Sequence, residues 1–350
     1  YLNQGLNVHT SFNQDYQKVV EKSASEYTKD SKVETSSIVV EPYTSKILAI
    51  IGGKDYASSQ FNRATQANRQ IGSTIKPLLY YLALENGFTP ATTFLCEPTT
   101  FKLDDNSTYS PSNFNDKYAY KDVTLAQAIA VSDNIFAVKT HLFLGTDNLA
   151  SLIKKFGIKD VKANASLALG TLNTNIYNLA NMYNCLASEG KYNHLYTIEK
   201  ITNDDGKVLY QHEQEDKQLL EQDSCLELSQ LLTSTFNSTF STYLQATMAS
   251  YQLDNINACK TGSTDVDNLA VAYNPQVLVA SWVGYDDNRK METADDKTVA
   301  KKTVIDVLNY TNENKDVTWY QPTEDLQQIA INPLTGDFDE NGTVYWFKKD

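Results

Sequence analysis

Strand-forming sequence lies near both ends of this chain, and helix-forming sequence fills the space between. Two short β-branched runs come early, at residues 37–41 and 46–51, and the turn-forming Pro42-Tyr43-Thr44 separates them. Three further strand-like runs come late, at residues 257–263, 269–273 and 277–283. Because helices separate the two groups, we predict that the early and late strands share one sheet closed by the two ends of the chain. This layout belongs to the α+β class.

Helical periodicity recurs along the rest of the chain. Gly87, Gly145, Gly157 and Gly190 follow such segments and supply C-terminal stop signals. Asp204-Asp205-Gly206 predicts a hairpin turn within residues 197–210. Helices are predicted at residues 15–27, 73–87, 125–131, 135–144, 149–156, 176–187 and 218–248.

These patterns divide the chain into three parts. Residues 1–34 are polar and rich in Asn, Gln and Lys, which indicates a linker remnant with one helix. Residues 35–312 hold the elements of the main domain. From residue 313 the helical pattern is lost and Pro322, Pro333 and Gly336 appear, so residues 313–350 are predicted to form a small C-terminal appendage.

Composition excludes several classes of protein. With 41% hydrophobic and 21% charged residues, the chain is predicted to be globular rather than disordered or fibrous. A net charge of −13 disfavours binding to nucleic acids and to anionic lipid surfaces. Apolar runs such as residues 78–84 are far shorter than the roughly 18 residues of a membrane helix. Since the chain opens on Tyr1 without a signal segment, we expect a fragment whose targeting information is missing.

The four cysteines and four histidines are scattered and form no metal-binding or redox pattern. For the cysteines, buried free thiols are favoured over a disulfide, and both remain open. No zinc site is predicted.

Three short strings carry the candidate chemistry: Ser73-Thr74-Ile75-Lys76, Ser132-Asp133-Asn134 and Lys260-Thr261-Gly262. The first two patterns also occur elsewhere in the chain, at residues 151–154, 188–191 and 11–13, so each is weak alone. Their order and placement are more specific, because the first opens a predicted helix, the second lies between two helices and the third lies on a strand. We therefore expect the three strings to meet in one cleft.

The first string is typical of an activated serine nucleophile. Ser73 and Lys76 are separated by three positions, so on a helix their side chains share a face. A neutral Lys76 amine would accept the hydroxyl proton if burial and the neighbouring cation Lys260 lower its pKa.

The other two strings suit a peptide-like substrate. In a loop, Ser132 can pass a proton to a leaving amine, and the Asn134 amide can donate to and accept from a peptide, while Asp133 faces elsewhere. On the strand, Thr261 and Ser263 share one face and suit a substrate carboxylate. Gly262 lacks a Cβ, which lets the strand approach the helix of Ser73, and the N–H groups of Ser73 and Ser263 would form an oxyanion hole.

The chain also resembles a known family, the transpeptidase domain of class A, bifunctional penicillin-binding proteins. The resemblance covers roughly residues 1 to 340, and the opening Gly5-Leu6-Asn7-Val8 with Gln17 is similar to the family's linker after a glycosyltransferase domain. The chain departs from the family at Ser263, where Thr is usual, and at Leu269-Ala270, where Trp-Phe is usual. Besides the three strings, the resemblance includes Asn62-Arg63-Ala64, Arg69-Gln70-Ile71-Gly72, Ala168-Leu169-Gly170-Thr171, Leu179-Ala180-Asn181-Met182-Tyr183 and Trp282-Val283-Gly284-Tyr285-Asp286.

This resemblance implies a penicillin-binding or serine β-lactamase-like fold, with a five-stranded antiparallel sheet flanked by helices. It implies a D,D-transpeptidase that cross-links D-Ala-D-Ala stem peptides of peptidoglycan, is acylated by β-lactams and needs no metal or organic cofactor. The upstream membrane anchor and glycosyltransferase would be missing, and the domain would lie on the extracytoplasmic face of a bacterial membrane, with cell-wall synthesis proteins as further candidate partners. The implied catalytic residues are Ser73, Lys76, Ser132 and Lys260, and the implied substrate-binding residues are Asn134, Thr261, Gly262 and Ser263.

Three other functions remain open. A D,D-carboxypeptidase would use water in place of the acceptor amine, and a penicillin-sensing binding domain would form an acyl-enzyme without turnover. A serine β-lactamase is disfavoured, because no Glu-x-x-Leu-Asn string of the class A enzymes occurs between Ser132 and Lys260.

Overall fold

The structure, a computed structural model, describes residues 5–103 and 106–349. The helices in these residues are α1 (Gln14–Thr28), α2 (Arg63–Gln66), α3 (Lys76–Glu85), α4 (Leu125–Val131), α5 (Asn134–Leu144), α6 (Thr146–Lys155), α7 (Ile176–Ala187), α8 (Gln222–Leu232) and α9 (Val299–Asn314). Short 3₁₀ turns occur at Gly72–Ile75, Phe114–Asp116, Ala165–Leu169, Thr233–Phe236, Ser238–Phe240 and Asp296–Thr298.

The strands of four or more residues in the described ranges fall into three sheets. They are β1 (Leu6–Thr10), β2 (Glu34–Glu41), β3 (Lys46–Ile51), β4 (Ile198–Asn203), β5 (Val208–Gln211), β6 (Ala258–Ser263), β7 (Asp267–Asn274), β8 (Val277–Gly284), β9 (Leu326–Ile331) and β10 (Thr343–Lys348). Shorter strands occur at Arg69–Gln70, Thr93–Leu95, Phe101–Lys102, Thr108–Tyr109, Asp122–Thr124, Asn173–Thr174, Lys191–Tyr192 and Lys217–Gln218.

The main sheet joins the two ends of the chain, as the sequence predicts. Its strand order is β6-β7-β8-β2-β3, and every neighbouring pair is antiparallel. The early and late strands are joined where β8 pairs with β2, with Val279 opposite Val39. The predicted five-stranded α+β architecture is therefore confirmed.

Each face of the main sheet is covered by helices, because side chains alternate along a strand. Ile38 and Val40 of β2 belong to a large apolar core that includes residues of α3, α4, α5, α7 and α8. Val39 points to the other face, into a second core with residues of α1 and α9. Strand β6, which carries the third string, lies at the edge of the sheet.

Most predicted helices are confirmed to within a few residues, but the long helix predicted at residues 218–248 is wrong. The helix α8 stops at Leu232 and short 3₁₀ turns follow. The hydroxyl groups of Thr233, Ser234 and Thr235 bond back to backbone carbonyls three residues earlier, at 2.7, 2.6 and 3.0 Å. Such local bonds compete with a continuous α-helix, and apolar periodicity does not reveal them.

The segment predicted as a linker remnant packs on the main domain, except for residues 1–4, which lie outside the described residues. Its strand β1 pairs with β4, and Tyr16 in α1 is buried and bonds through its hydroxyl to Thr311 Oγ1 in α9 at 3.0 Å. The boundary at residue 34 remains a prediction.

The region predicted as a C-terminal appendage contains the hairpin β9–β10, and residue 350 lies outside the described residues. Trp346 is buried, and its backbone N–H donates to Gln230 Oε1 of α8 at 2.7 Å. The boundary at residue 313 also remains a prediction. No helix within the described ranges is long and apolar enough to cross a membrane.

Candidate active site

Ser73 lies at the start of a helix, as its sequence context predicts. It belongs to the 3₁₀ turn Gly72–Ile75, and α3 follows directly at Lys76. Pro77 suits the first turn of α3, because a helix start leaves its N–H groups unpaired and proline has none. The Ser73 side chain is half-buried, and its hydroxyl forms no hydrogen bond with any residue that the structure describes.

Two glycines allow this turn to fit between a loop and strand β6. Gly72 N–H donates to the Gly170 carbonyl at 3.1 Å, and a Cβ on Gly170 would overlap the Gly72 carbonyl. On the other side, a Cβ on Gly262 would lie 2.6 Å from the Ile71 carbonyl oxygen. The close approach predicted for Gly262 is therefore confirmed, and Gly170 supplies the matching approach on the opposite side.

Two arginines attach the chain before this turn to the main sheet. Arg69 donates from Nε and Nη2 to Asp267 Oδ1, at 3.0 and 2.7 Å. Arg63 forms a bidentate pair with Asp286, at 2.7 and 2.6 Å. Because guanidinium–carboxylate pairs are directional, these contacts fix the path of the chain into the 3₁₀ turn.

The second string forms a sharp bend between α4 and α5. Ser132 has a left-handed backbone, with φ of 60° and ψ of 45°, which is uncommon for a residue other than glycine. Asp133 caps α5, its Oδ1 accepting from Phe136 N–H at 2.6 Å, and Asn134 is the first residue of α5. The predicted loop is therefore reduced to two residues, and the bend aims the string at α3.

Lys76 is fully buried and reaches the bend. Its Nζ donates to the carbonyl oxygens of Ser132 and Asp133 at 2.8 and 3.0 Å, and to Asn134 Oδ1 at 2.8 Å. It also lies 3.3 Å from Ser132 Oγ. The three oxygen acceptors match the three N–H groups of an ammonium ion.

Lys260 reaches the same bend from strand β6. It is also fully buried, and its Nζ lies 2.8 Å from Ser132 Oγ and 2.8 Å from the Thr261 carbonyl oxygen. The Ser132 hydroxyl thus lies between two lysine amines. This arrangement brings residues from all three strings together.

Burial governs the charge of both lysines. It lowers the pKa of Lys76 to about 7, while the charge of Asp133 acts in the opposite direction. Burial also lowers the pKa of Lys260 well below its usual value, and the nearby charge of Lys76 lowers it further. Burial, and not the charge of Lys260, lowers the pKa of Lys76, so the predicted contribution of this cation is not supported. The prediction that burial makes a neutral amine available at Lys76 is consistent with these environments.

The third string occupies consecutive positions of β6. Lys260 and Gly262 face the bend and the 3₁₀ turn, whereas Thr261 and Ser263 occupy the alternate positions. Thr261 is buried and Ser263 is exposed. A Cβ on Gly72 would lie 2.8 Å from the Ser263 carbonyl oxygen, so strand and turn are in contact beside Ser73.

Two features of the site differ from the arrangement that the sequence suggests. The hydrogen bond expected between Ser73 and Lys76 is not among those of the described residues. The Asn134 amide, predicted to bind substrate, accepts from Lys76, and its Nδ2 donates to the Ser112 carbonyl at 2.7 Å. Asn134 therefore already links Lys76 to the loop before Asn113.

Sequence reasoning missed the surroundings of Asp133. As expected, this carboxylate faces away from Lys260 and Ser132 Oγ, but it enters a buried cluster with Asn113, Cys96 and Tyr243. No spacing pattern links these residues in the sequence.

Two cavities in the described part of the chain lie away from the three strings. One, of about 320 Å³, is lined by polar residues that include His9, Lys46 and Glu199. Another, of about 470 Å³, lies between α1 and the loop after β3. The four cysteines are free and buried, and the described residues contain no group of three or more His, Cys, Asp or Glu that could hold a metal ion.

Comparison with known families gives a match across most of the chain. The sequence model described as "Penicillin binding protein transpeptidase domain" matches residues 35–295. The chain belongs to this family. This transpeptidase domain is 38% identical over 337 residues to "Penicillin-binding protein 2D" of Bacillus subtilis (strain 168), across 95% of this chain and 49% of that protein. It is 33% identical over 312 residues to "Penicillin-binding protein 1A" of Aquifex aeolicus (strain VF5), across 86% of this chain and 41% of that protein.

Solved structures share the fold of this transpeptidase domain. Penicillin-Binding Protein 1A from Haemophilus influenzae has a TM-score of 0.81 at 22% identity, covering 90% of this chain and 53% of that one. The PonA1 protein from Mycobacterium tuberculosis in complex with penicillin V has a TM-score of 0.78 at 20% identity, covering 92% and 90%. At these identities the likeness shows the fold alone, and it confirms the predicted penicillin-binding fold.

The relatives extend beyond the region matched here, since the chain spans about half or less of the lengths of the curated proteins described. Names such as "Penicillin-binding protein 1A" and "Penicillin-binding protein 1B" recur among them, which agrees with the predicted class A resemblance. Membership of the family supports serine acyl transfer as the chemistry of this transpeptidase domain.

Proposed function

We propose that this domain is a D,D-transpeptidase that cross-links peptidoglycan stem peptides through an acyl-enzyme on Ser73. The observation that carries the proposal is the meeting of Lys76 and Lys260 at Ser132 Oγ, beside the turn of Ser73, in a chain of the penicillin-binding family. The donor substrate is the D-Ala-D-Ala end of one stem peptide, and the acceptor is an amine of another. β-Lactams acylate the same serine, and the mechanism uses neither a metal nor an organic cofactor.

Acylation begins with a neutral Lys76. The amine takes the proton of Ser73 Oγ, and the oxygen forms a bond with the carbonyl carbon of the penultimate D-Ala. The lowered pKa of Lys76 supports this role, because the nitrogen lone pair is then available to accept a proton near neutral pH. A neutral Lys76 amine has two N–H groups, so it can donate to only two of the three acceptors around Nζ. Its lone pair then accepts from the Ser73 hydroxyl in place of the third contact.

Ser132 donates a proton to the leaving group. As the bond between the carbonyl carbon and nitrogen breaks, Ser132 Oγ gives its proton to the terminal D-Ala amine, and a lysine on either side replaces it. The acceptor amine then attacks the ester. A new amide bond forms, the ester bond to Ser73 breaks, and the proton of the acceptor returns to Ser73 Oγ through the same groups.

The remaining site residues hold the substrate. The hydroxyls of Thr261 and Ser263 bind the terminal carboxylate, and the second N–H of Asn134 Nδ2, which the Ser112 carbonyl does not occupy, donates to the peptide. The N–H groups of Ser73 and Ser263 stabilise the oxyanion. Gly262 allows the close approach of strand and turn that this geometry requires.

Labelling with a fluorescent penicillin tests the nucleophile. The wild-type domain should gain one adduct, and peptide mapping by mass spectrometry should place it on Ser73. Ser73→Ala should remain unlabelled, whereas Ser58→Ala, the same change in an exposed loop, should label like wild type. Equal labelling of Ser73→Ala and wild type would end the proposal.

A thiolester substrate distinguishes the alternatives. With a D-amino acid acceptor present, a transpeptidase forms the aminolysis product, a D,D-carboxypeptidase forms chiefly the hydrolysis product, and a penicillin-sensing domain releases neither. Rapid turnover of a chromogenic cephalosporin would instead favour a β-lactamase.

The cellular setting follows from the proposed substrate. Peptidoglycan lies outside the cytoplasmic membrane, so we place the domain on the extracytoplasmic face of that membrane. A main domain of residues 35–312, between a linker and a C-terminal appendage, is part of the same proposal. Other cell-wall synthesis proteins are its candidate partners.

A further inference from the structure

The carboxylate of Asp133 is the centre of a buried hydrogen-bond cluster behind the bend. Its Oδ2 accepts from Asn113 Nδ2 at 2.6 Å, from the Tyr243 hydroxyl at 2.8 Å and from Cys96 Sγ at 3.0 Å. Its Oδ1 accepts from Phe136 N–H at 2.6 Å. Asp133 has no exposed surface, and four donors with no competing acceptor satisfy a charged carboxylate.

Three of the four donors come from separate parts of the chain. Cys96 follows the strand Thr93–Leu95, Asn113 precedes a 3₁₀ turn, and Tyr243 lies in the irregular segment after α8. Each contact therefore ties a different segment to the bend. Because Ser132 holds an uncommon left-handed backbone there, the cluster opposes relaxation of the bend to another conformation.

The cluster is connected directly to Lys76. The carbonyl oxygen of Asp133 accepts from Lys76 Nζ at 3.0 Å. Asn113 Oδ1 accepts from the Asn134 N–H at 2.7 Å, and Asn134 Oδ1 accepts from Lys76 Nζ at 2.8 Å. Two of the three acceptors of the lysine amine are thus positioned by Asp133 and its partners.

The charge of Asp133 also acts on Lys76 through a buried, weakly screened region. Burial lowers the pKa of Lys76, and the carboxylate opposes that effect. From another element, Lys260 on β6 approaches the same bend, with Cys259 and Lys301 of α9 close to it. On α3 itself, Tyr80 lies near Asp133, and burial raises the pKa of its hydroxyl well above the usual value. Asp133 is the acidic residue among these described neighbours.

We propose that Asp133, held by Asn113, Cys96 and Tyr243, is a positioning residue that sets the pH at which Lys76 loses its proton and becomes the base for Ser73. The inference rests on the proposed function, because it assigns a purpose to the protonation of Lys76. Asp133 does not touch the reacting atoms. It acts through the place and the charge state of the lysine amine.

The pH profile of penicillin acylation tests this role. Asp133→Asn removes the charge while keeping the size of the side chain, so the midpoint of the profile should fall by about one pH unit. Asp147→Asn is the matched control, since Asp147 is an exposed aspartate in the first turn of α6, and its profile should follow wild type. A wild-type midpoint in a folded Asp133→Asn variant would overturn the proposal.

Tyr243→Phe separates position from charge. This change removes one donor and keeps the carboxylate, so the midpoint should stay near wild type while the plateau rate falls by about threefold to tenfold. A midpoint shift as large as that of Asp133→Asn would overturn the assignment to charge. If Asp133→Asn does not fold, a wild-type plateau rate in both Tyr243→Phe and Asn113→Ala would overturn the proposal.

Failure of the proposed function would look different. In that case the wild-type domain itself would carry no penicillin adduct on Ser73. If wild type carries the adduct on Ser73 and Asp133→Asn has the same pH profile as wild type, only the proposed role of Asp133 is contradicted.

Discussion

Lys260 Nζ lies 2.8 Å from Ser132 Oγ, so strand β6 and the bend between α4 and α5 meet at one hydroxyl group. Lys76 approaches the same oxygen at 3.3 Å. Through this hydroxyl, residues far apart in the sequence share one hydrogen-bond network, and protons have a short route between the two lysines.

Ser132→Ala is therefore expected to impair catalysis much more than folding. It removes the relay while leaving the carbonyl acceptors of Lys76 in place, so penicillin acylation should slow by about a hundredfold to a thousandfold. The free energy of unfolding should change by about 1 kcal/mol. Stopped-flow acylation and urea denaturation measure the two effects, with Ser58→Ala as the control. Acylation at the wild-type rate would exclude the relay.

Acylation should depend on pH through the charge of Lys76. Burial lowers its pKa to about 7, and only the neutral amine accepts a proton. The rate should therefore rise with pH through about 7 and then level off, with about a tenfold loss for each unit below the midpoint. Lys76→Arg should be inactive across the range, because its guanidinium stays charged. A rate that falls as pH rises through 7 would contradict Lys76 as the base.

Gly262→Ala should disturb both stability and acylation. The added Cβ would lie 2.6 Å from the Ile71 carbonyl oxygen and 2.8 Å from Thr74 Cγ2, which forces the strand away from the turn of Ser73. We expect a loss of about 1–3 kcal/mol in the free energy of unfolding and a slower acylation. Gly206→Ala is the comparison for the acylation rate only, since a Cβ there meets open space while the left-handed backbone, with φ of 79°, makes this change cost stability as well. Its acylation rate should match wild type, and equal rates for both variants would refute the steric explanation.

Asp267→Asn should destabilise the fold through Arg69. The carboxylate is buried and accepts from Arg69 and from Trp282 Nε1 at 2.9 Å. Neutralising it leaves a guanidinium without its counter-charge, at a cost of about 3 kcal/mol in the free energy of unfolding. Asp15→Asn breaks an exposed pair with Lys18 and should change little in the same urea experiment. Similar losses for the two variants would show that burial of the pair is unimportant.

Glu227→Gln should stabilise the protein at alkaline pH. Burial raises the pKa of Glu227 to about 7, and the charge of Lys348 opposes the shift. Because the unfolded value is near 4.3, the folded protein binds more protons between these values, and its stability falls as pH rises from about 4 through about 7. The variant lacks this loss, so it should exceed wild type by about 2–3 kcal/mol near pH 8 and by little near pH 4.

Denaturation at several pH values tests this difference. Glu221→Gln, an exposed change at the start of the same helix, should keep the wild-type dependence on pH. Parallel curves for Glu227→Gln and wild type would contradict the expected effect of burial.

Local signals in the sequence explain how much of the fold could be predicted. The α4 and α7 boundaries match their apolar periods, and the hairpins follow from their turn residues. The end of α8 at Leu232 could not be predicted in this way, because hydroxyl groups that bond to the backbone replace the helical pattern.

The same distinction between local patterns and tertiary contacts applies to the candidate site. Lys76, Ser132 and Lys260 stand in short strings whose order predicts a common cleft, and their side chains do meet. The cluster of Asp133 joins single residues from distant segments, so no local pattern reveals it. Cys96 and Tyr243 became visible as partners only through the tertiary contacts.

The pairing of β8 with β2 has a consequence for the order in which the protein folds. Val39 of β2 pairs with Val279 of β8 inside the sheet, so one edge of the β2–β3 hairpin stays unpaired until the much later strand β8 is available. Until then its open edge is a template for wrong partners. We expect slow folding, with a need to keep this edge covered until residues 277–284 are available to pair with it.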